Sequence, residues 1–248
     1  MELAAHHQLQ IIAVSDHDNL AGIQEASDYA RSFQITVIPA VELSCDYHGT
    51  DVHLLGYAFD PQDRALNDRL AIFRAGRLQR GERILDRLLE QGIAVDRTRV
   101  AELCGEGAMG RPHIARAMVE AGIVKSVQEA FRQWLGAGCP GYVSKERFQV
   151  AEAIETIGEA GGLISVAHPS LCPNPVELLD ALFQAGVDAV EAFHPEVDAV
   201  SATEFQRIAT RHGKFVTGGS DDHGFEDRRT IGSIHLPETS IAPILERL

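Results

Sequence analysis

Seven side chains able to hold a metal ion or move a proton lie in a few short segments of this chain. They are Asp16 and His17 in "SDHD", Glu42 in "AVELS", His53 in "DVHLLGY", His168 in "SVAHP", and Asp221 and His223 in "GGSDDHG". Imidazole and carboxylate without thiolate form the donor set of Zn²⁺, Mn²⁺ or Fe²⁺ hydrolytic centres. Any one of these residues alone reads more simply as a hydrogen-bonded histidine or a solvated acid. Gathered at one rim they read as a cation site, because burying such groups without a partner costs on the order of several kcal/mol apiece. Asp18 and Asp222 stand beside them; carboxylates so placed either orient ligating imidazoles or remain loop acids.

The segments that must carry these residues are strand-like. Apolar runs at 11–15, 35–44, 52–59, 163–169, 189–195 and 214–224 alternate with stretches of helical period such as "LAGIQEASDYARSF", "NPVELLDALFQAG" and "VSATEFQRIATRHG". This rhythm predicts a mainly parallel sheet, closed or nearly closed, and in a parallel barrel the strand C-termini converge on one face. A chain of 248 residues with 45% hydrophobic content suits one barrel-sized core.

The middle of the chain differs. Residues 62–147 are rich in helix formers, with "RPHIARAMVEAG" and "SVQEAFRQWLG" as shorter helices and "GAGCPGYV" as an exit linker. An all-helical insertion of 62–147 is therefore expected between barrel parts 1–61 and 148–248. It holds 15 of the 22 Lys and Arg but 11 of the 36 acids, so it carries +4 while the remainder of the −14 chain carries −18. Carboxylates gathering cations beside arginines holding an anion fit that distribution. Arg111 precedes a Pro at the start of a predicted helix, so its guanidinium and the helix amides suit a phosphate. His113, Lys145 and Arg147 are further phosphate-binding candidates, whereas Arg77, Arg80 and Arg83 read as a solvated helix face. Four cysteines without a C-x-x-C read as ordinary thiols. No apolar window is long enough for a membrane span and no signal-peptide layout appears, so a cytoplasmic protein without a membrane partner is expected. The acidic barrel and the lack of a groove-reading motif argue against duplex DNA. The oligomeric state is not legible.

"SDHD", "VELS" followed by "HLLGY", "AHP" and "GSDDHG" resemble, in order and spacing, the polymerase-and-histidinol-phosphatase (PHP) family of metal-dependent phosphoesterases. "GRPHIARAMVEAG" and "GYVSKERF" resemble its branch of nucleoside 3',5'-bisphosphate phosphatases and 5'-to-3' exoribonucleases of short RNA. The resemblance implies a distorted seven-stranded (β/α) TIM-like barrel with two to three divalent cations (Mn, Zn, Fe or Mg). It implies that Glu42 bridges two metals with Asp221 on the first, that His53 and His168 complete the second, and that His17 and His223 hold the third, with Asp16 beside them. Glu42, His17, Asp221 and His223 would then be the catalytic set, hydrolysing phosphate esters of small nucleotides or short single-stranded RNA through a metal-activated water.

Family members open on a strand ending in H-x-H, and no such motif precedes Asp16. His6 and His7 are adjacent and cannot face the same way, and "MELAAHHQLQ" reads as a helix. A strand plus loop of roughly twenty residues is expected to be missing, leaving an N-terminally truncated barrel with an open edge. Two other functions follow from that reading and from the rim: a catalytically impaired binding or accessory module, and a barrel amidohydrolase. The latter commonly uses a strand-end lysine, for which Lys145 and Lys214 are poorly placed.

Overall fold

The computed structural model describes residues 1–105, 109–144, 147–223, 230–234, 236 and 238–248, the side chains at 74, 77 and 238 excepted. Helix α1 (Glu2–His6) leads into β1 (Ile11–Val14), α2 (Ala21–Ala30), β2 (Thr36–Tyr47) and β3 (Thr50–Tyr57). The helices α3 (Arg64–Glu90), α4 (Arg97–Cys104), α5 (Arg111–Glu120) and α6 (Val127–Ala130) follow, the last widening into a π-helical turn over Phe131–Leu135. Then come β4 (Phe148–Gln149), α7 (Val150–Glu159), β5 (Leu163–Val166), α8 (Pro175–Ala185), β6 (Ala189–Phe193), α9 (Ala199–Arg211), β7 (Phe215–Gly218) and α10 (Ala242–Leu245). The chain divides into two compact units, Met1–Asn67 with Phe148–Leu248, and Asp68–Arg147. Among the described residues no helix is long and apolar enough to cross a membrane.

In the first unit the strands form one curled sheet in the order β1-β2-β3-β5-β6-β7, with β4 paired to β2. The pairs β1–β2, β2–β4, β5–β6 and β6–β7 are parallel, as the alternation of strands and helices leads one to expect. β3 departs from that expectation, running antiparallel to both β2 and β5. The cause is local. Tyr47 pairs with Thr50 across His48 and Gly49, both at positive φ (50° and 87°), which is a two-residue hairpin turn. A parallel return needs a crossover of a dozen or more residues, which two cannot supply. His53 therefore lies near the start of its strand, not at the C-terminal end where the sequence reading put it. Because β3 is reversed, its start falls on the same rim as the ends of the parallel strands.

Register decides which side chains share a face. Glu42 is opposite Leu55 and Ser44 opposite His53, so these four project together with Ala40 and Tyr57. Farther along that face Ile38, Ala40, Leu55, Tyr57, Leu163 and Ala167 pack with Ile244 of α10 into a buried apolar floor. The opposite face carries α7; a Cβ at Gly56 would come within 2.7 Å of the Ile157 side chain, so a larger residue there would force that side chain to shift. Among the described residues no ladder joins the end strands β1 and β7.

The second unit has its own core, built on Ile84, Leu85, Leu88, Val100, Ile114, Met118 and Leu135. Asp96 caps α4 by accepting the N–H groups of Thr98 and Arg99, and Ser126 caps α6 at Glu129. Arg80 is not the solvated residue its helix-face spacing suggests. It is 7% exposed, and its Nε donates to the Val143 carbonyl at 2.8 Å. Arg83 is exposed, and the side chain of Arg77 lies outside the described residues.

Candidate metal centre

The row Asp16, His17, Asp18 prolongs the β1–β2 ladder beyond the end of the strand. The Glu42 N–H donates to the Asp16 carbonyl at 3.1 Å, the Asp18 N–H donates to the Glu42 carbonyl at 2.9 Å, and His17 bridges to Glu42. Each residue of the row then does a different job. Asp18 is buried at φ 50°, and its Oδ1 accepts the Ser44 N–H at 3.0 Å, so it fastens the loop to β2. His17 turns toward Glu42. Asp16 lies against the first turn of α2, its Oδ2 2.6 Å from where a Cβ on Gly22 would stand, so a larger residue there would push it aside.

Glu42 is the hub. Its Oε1 accepts from His53 Nδ1 at 2.6 Å and from His168 Nε2 at 3.1 Å, and its Oε2 lies 3.6 Å from His17 Nδ1. Donor atoms of His17, Glu42 and His53 all lie within 4.8 Å of one another. Burial pushes the Glu42 pKa up, but the bonds from His168 and His53 and the charge of His17 outweigh it and hold the carboxyl well below its ordinary range. The same contact works in reverse on His168. Burial alone would lower its pKa, and the hydrogen bond and charge of Glu42 raise it above the ordinary imidazole value. Asp16 is raised by burial, against the pull of His223.

On the far side of the rim Asp221 follows β7 at φ 51°. His223 Nδ1 donates to the Asp221 carbonyl at 2.8 Å and lies 3.5 Å from Asp221 Oδ1. That bond puts the ring proton on Nδ1 and leaves the Nε2 lone pair for a cation. The imidazoles form an arc from His223 through His17, His53 and His168 to His194, with successive ring centroids 6.4, 5.1, 5.2 and 5.5 Å apart. Asp222 is a loop support, its Oδ2 accepting the Ile231 N–H at 2.9 Å. The rim opens on a cavity of about 610 Å³ lined by Asp16, His17, Glu42, His168, Glu191 and Asp221, with β1 and β7 on its flanks.

This donor set fits a divalent cation. A buried carboxylate accepts from two imidazoles with a third beside it, and His168 Nδ1 is buried with no hydrogen-bond partner. Two residues of the rim were not singled out from the sequence. Glu191 on β6 is buried and accepts the His168 N–H at 2.8 Å. Burial pushes its pKa up to about 7, with Glu42 adding to the rise and His194 and His168 opposing it. His194, at the end of the same strand, is buried with Nε2 3.7 Å from Asp221 Oδ2. The signal available was "VEAFHP", which repeats the strand-then-polar theme of "SVAHP".

Two of the phosphate-binding candidates, Arg111 and His113, are engaged within the second unit. Arg111 donates to the Leu135 carbonyl at 3.2 Å, with its guanidinium 5.3 Å from the Phe131 ring centroid and 5.8 Å from that of Tyr142. His113 Nδ1 accepts the Gly110 N–H at 3.1 Å, closing the first turn of α5. Arg147 is half-buried, and Lys145 lies outside the described residues.

No family model matches the chain. It is 32% identical over 241 residues to a 3',5'-nucleoside bisphosphate phosphatase of Chromobacterium violaceum, covering 94% of this chain and 84% of the relative. It is 36% identical over 163 residues to a 5'-3' exoribonuclease of Haemophilus influenzae, covering 65% of this chain and 58% of that protein. Among solved structures, a protein of Bifidobacterium adolescentis described as a metal-dependent phosphoesterase superposes with a TM-score of 0.90 at 29% identity, over 99% of this chain and 88% of the other. With the ordered motifs, the curled sheet and the histidine-ringed Glu42 already in place, these likenesses settle the assignment: the chain belongs to the PHP-type family of phosphoesterases, hydrolases of phosphate esters.

Proposed function

We propose that this protein hydrolyses a phosphate ester of a nucleoside 3',5'-bisphosphate, releasing phosphate, or of a short single-stranded RNA, releasing nucleotides from its 5' end, using two to three divalent cations. The observation that carries the reading is Glu42, a buried carboxylate gripped by His53 and His168 with His17 beside it. Glu42 with His53 and His168 would hold one cation, Glu42 with Asp221 a second, and His17 with His223 a third, with Asp16 adjacent. Cations so held would supply a nucleophilic water near neutral pH and would stabilise charge on the phosphoryl oxygens.

The chain's own residues set up that chemistry. Glu42 stays ionised across the physiological range, since its pKa is held low. His223 presents Nε2 because Nδ1 is tied to the Asp221 carbonyl. Asp18, by bonding Ser44, keeps His17 turned to Glu42. For the second phosphate of the substrate we assign Arg111, His113, Lys145 and Arg147, whose residue types suit an anion. The names of the Chromobacterium and Haemophilus relatives support both substrate classes.

The test is phosphate release from adenosine 3',5'-bisphosphate and mononucleotide release from a 5'-phosphorylated tetranucleotide, with Mn²⁺ and with EDTA. Mn²⁺-dependent release from either supports the reading. Hydrolysis of an amide without cleavage of any phosphate ester would replace it with the amidohydrolase alternative.

A second reading concerns the seam between β1 and β7, the two end strands that flank the cavity. We propose that this seam accepts one more parallel strand, which would bring further imidazole donors to Asp221 and Glu42. A synthetic strand peptide with alternating apolar residues and an H-x-H end should then raise Mn²⁺ stoichiometry and turnover. No effect at saturating peptide would mean that the donors already present suffice.

A further inference from the structure

His194 is set apart from the other described imidazoles of the arc by a ring nitrogen that accepts a backbone N–H. The backbone N–H of Glu196 donates to its Nδ1 at 3.0 Å. An atom that accepts a hydrogen bond is using its lone pair, so the proton of the neutral ring must sit on Nε2. A protonated nitrogen cannot ligate a cation; it can only donate. His223 shows the contrary case, because its Nδ1 donates to a carbonyl and leaves Nε2 as the ligand atom.

The donor that results is aimed at one place. The His194 side chain is wholly buried, and Nε2 has no hydrogen-bond partner. It faces Asp221 Oδ2 across 3.7 Å, just beyond bonding range. The two oxygens of Asp221 are thereby divided, with Oδ2 toward His194 and Oδ1 toward His223 at 3.5 Å. A buried N–H left unbonded is unfavourable, so its retention at this place calls for a function.

Resting on the cation-centre reading above, we propose that His194 is a positioning residue: its Nε2–H holds Asp221 Oδ2 and so reserves Oδ1 for a divalent cation. Among the histidines of the rim it is a hydrogen-bond donor and not a ligand. Groups that orient ligands in this way typically change metal affinity by about 10–100-fold when removed.

The experiment compares the wild type with His194→Phe and His194→Gln. Phe keeps a planar ring without a donor, and the Gln amide restores an N–H at nearly the same reach. Mn²⁺ affinity is measured by titration calorimetry on the whole chain without substrate, alongside the melting temperature of the metal-free form and kcat and KM with the bisphosphate. The expected result is about 10–100-fold weaker Mn²⁺ binding in the Phe variant, with most of the loss recovered in the Gln variant. Equal Mn²⁺ affinity in Phe and wild type, or a Gln variant as weak as Phe, would overturn the proposal. Should the Phe variant fail to fold, ¹⁵N spectra of histidine-labelled wild type decide the matter, with the His194 signal assigned by its loss in the Gln variant. An Nε2-protonated ring is expected, and an Nδ1-protonated one would overturn the proposal. A wild type that binds Mn²⁺ yet hydrolyses no phosphate ester would sink the functional reading while leaving this one standing.

Discussion

The first unit concentrates charge and the second disperses it, although both are rich in ionisable residues. Around Glu42 several imidazoles converge on one buried carboxylate, and the buried Glu191 lies close enough to add to the repulsion. On the helices, Arg97 pairs with Glu82 and Asp86, and Arg99 with Glu102 and Glu120, all of them on the surface. Water and a matched partner stabilise the second arrangement as it stands. The first has more donors than one carboxylate can use, a histidine nitrogen without a partner, and an acid whose pKa is displaced upward. Surplus of that kind marks a place built to receive charge from outside.

The contrast breaks most completely if Glu42 loses its charge. Glu42→Gln keeps the shape and a carbonyl acceptor but removes the anion that the imidazoles surround. We expect turnover of the bisphosphate to fall on the order of a thousandfold, the upper scale for deleting one group that stabilises charge at a transition state. Mn²⁺ occupancy should fall with it, while the metal-free protein still melts cooperatively. A loss of less than tenfold would reduce Glu42 to a structural acid and the arc around it to packing.

Glu191 offers the next largest effect, read in stability. Its folded pKa of about 7 stands above its ordinary 4.5. Between those values the folded state binds more proton than the unfolded state, so stability falls as pH rises through that window and levels off above it. The difference corresponds to about 3 kcal/mol. In EDTA, Glu191→Gln should therefore be more stable than the wild type at pH 8 by up to about 3 kcal/mol, and the advantage should vanish near pH 4.5. Gln can still accept the His168 N–H, so the comparison isolates the charge. An advantage independent of pH would mean that the carboxyl is ionised without cost and that the rim holds no surplus there.

Arg111 tests whether the second unit is as self-contained as its ion pairs suggest. Its guanidinium lies over Phe131 and Tyr142 and gives one bond to Leu135, which leaves other N–H groups of the fork uncommitted. Arg111→Ala should raise KM for the 3',5'-bisphosphate by roughly tenfold, the scale of one hydrogen bond to a charged group. KM for a 5'-monophosphate should rise less. Equal increases would show that the residue supports the fold of the helices and does not read the second phosphate.

What the sequence made legible follows the same division. Apolar runs ending in His or Asp located β1, β5 and β7 and the residues at their ends, because burial and ligand chemistry both leave marks in residue type. The reversal of β3 was hidden because it depends on two residues at positive φ, His48 and Gly49, which an apolar-run reading passes over. The parts played by His194 and Glu191 were hidden for another reason. Their significance lies in which atom faces which, namely Nε2 toward Asp221 and Oε2 toward the His168 N–H, and a one-dimensional pattern carries no such direction. Arg80 misled because helical spacing does not reveal that the Val143 carbonyl waits beside it.

The smallest expected effect is also the control on the comparison. Arg99 holds Glu120 through Nε at 2.6 Å and Glu102 at 2.8 Å, and these contacts raise its pKa and lower that of Glu120. On geometry alone this cluster is tighter than the contact between His17 and Glu42. Its members are exposed, however, so water competes for every bond and dissolved salt screens the attraction. Arg99→Ala should leave the melting midpoint and the bisphosphate kinetics unchanged within error, in low salt as in high. A clear loss of stability at low salt that disappears at high salt would show that the helical surface stores energy in its ion pairs. Burial, and not the shortness of a contact, would then cease to be what separates the two regions.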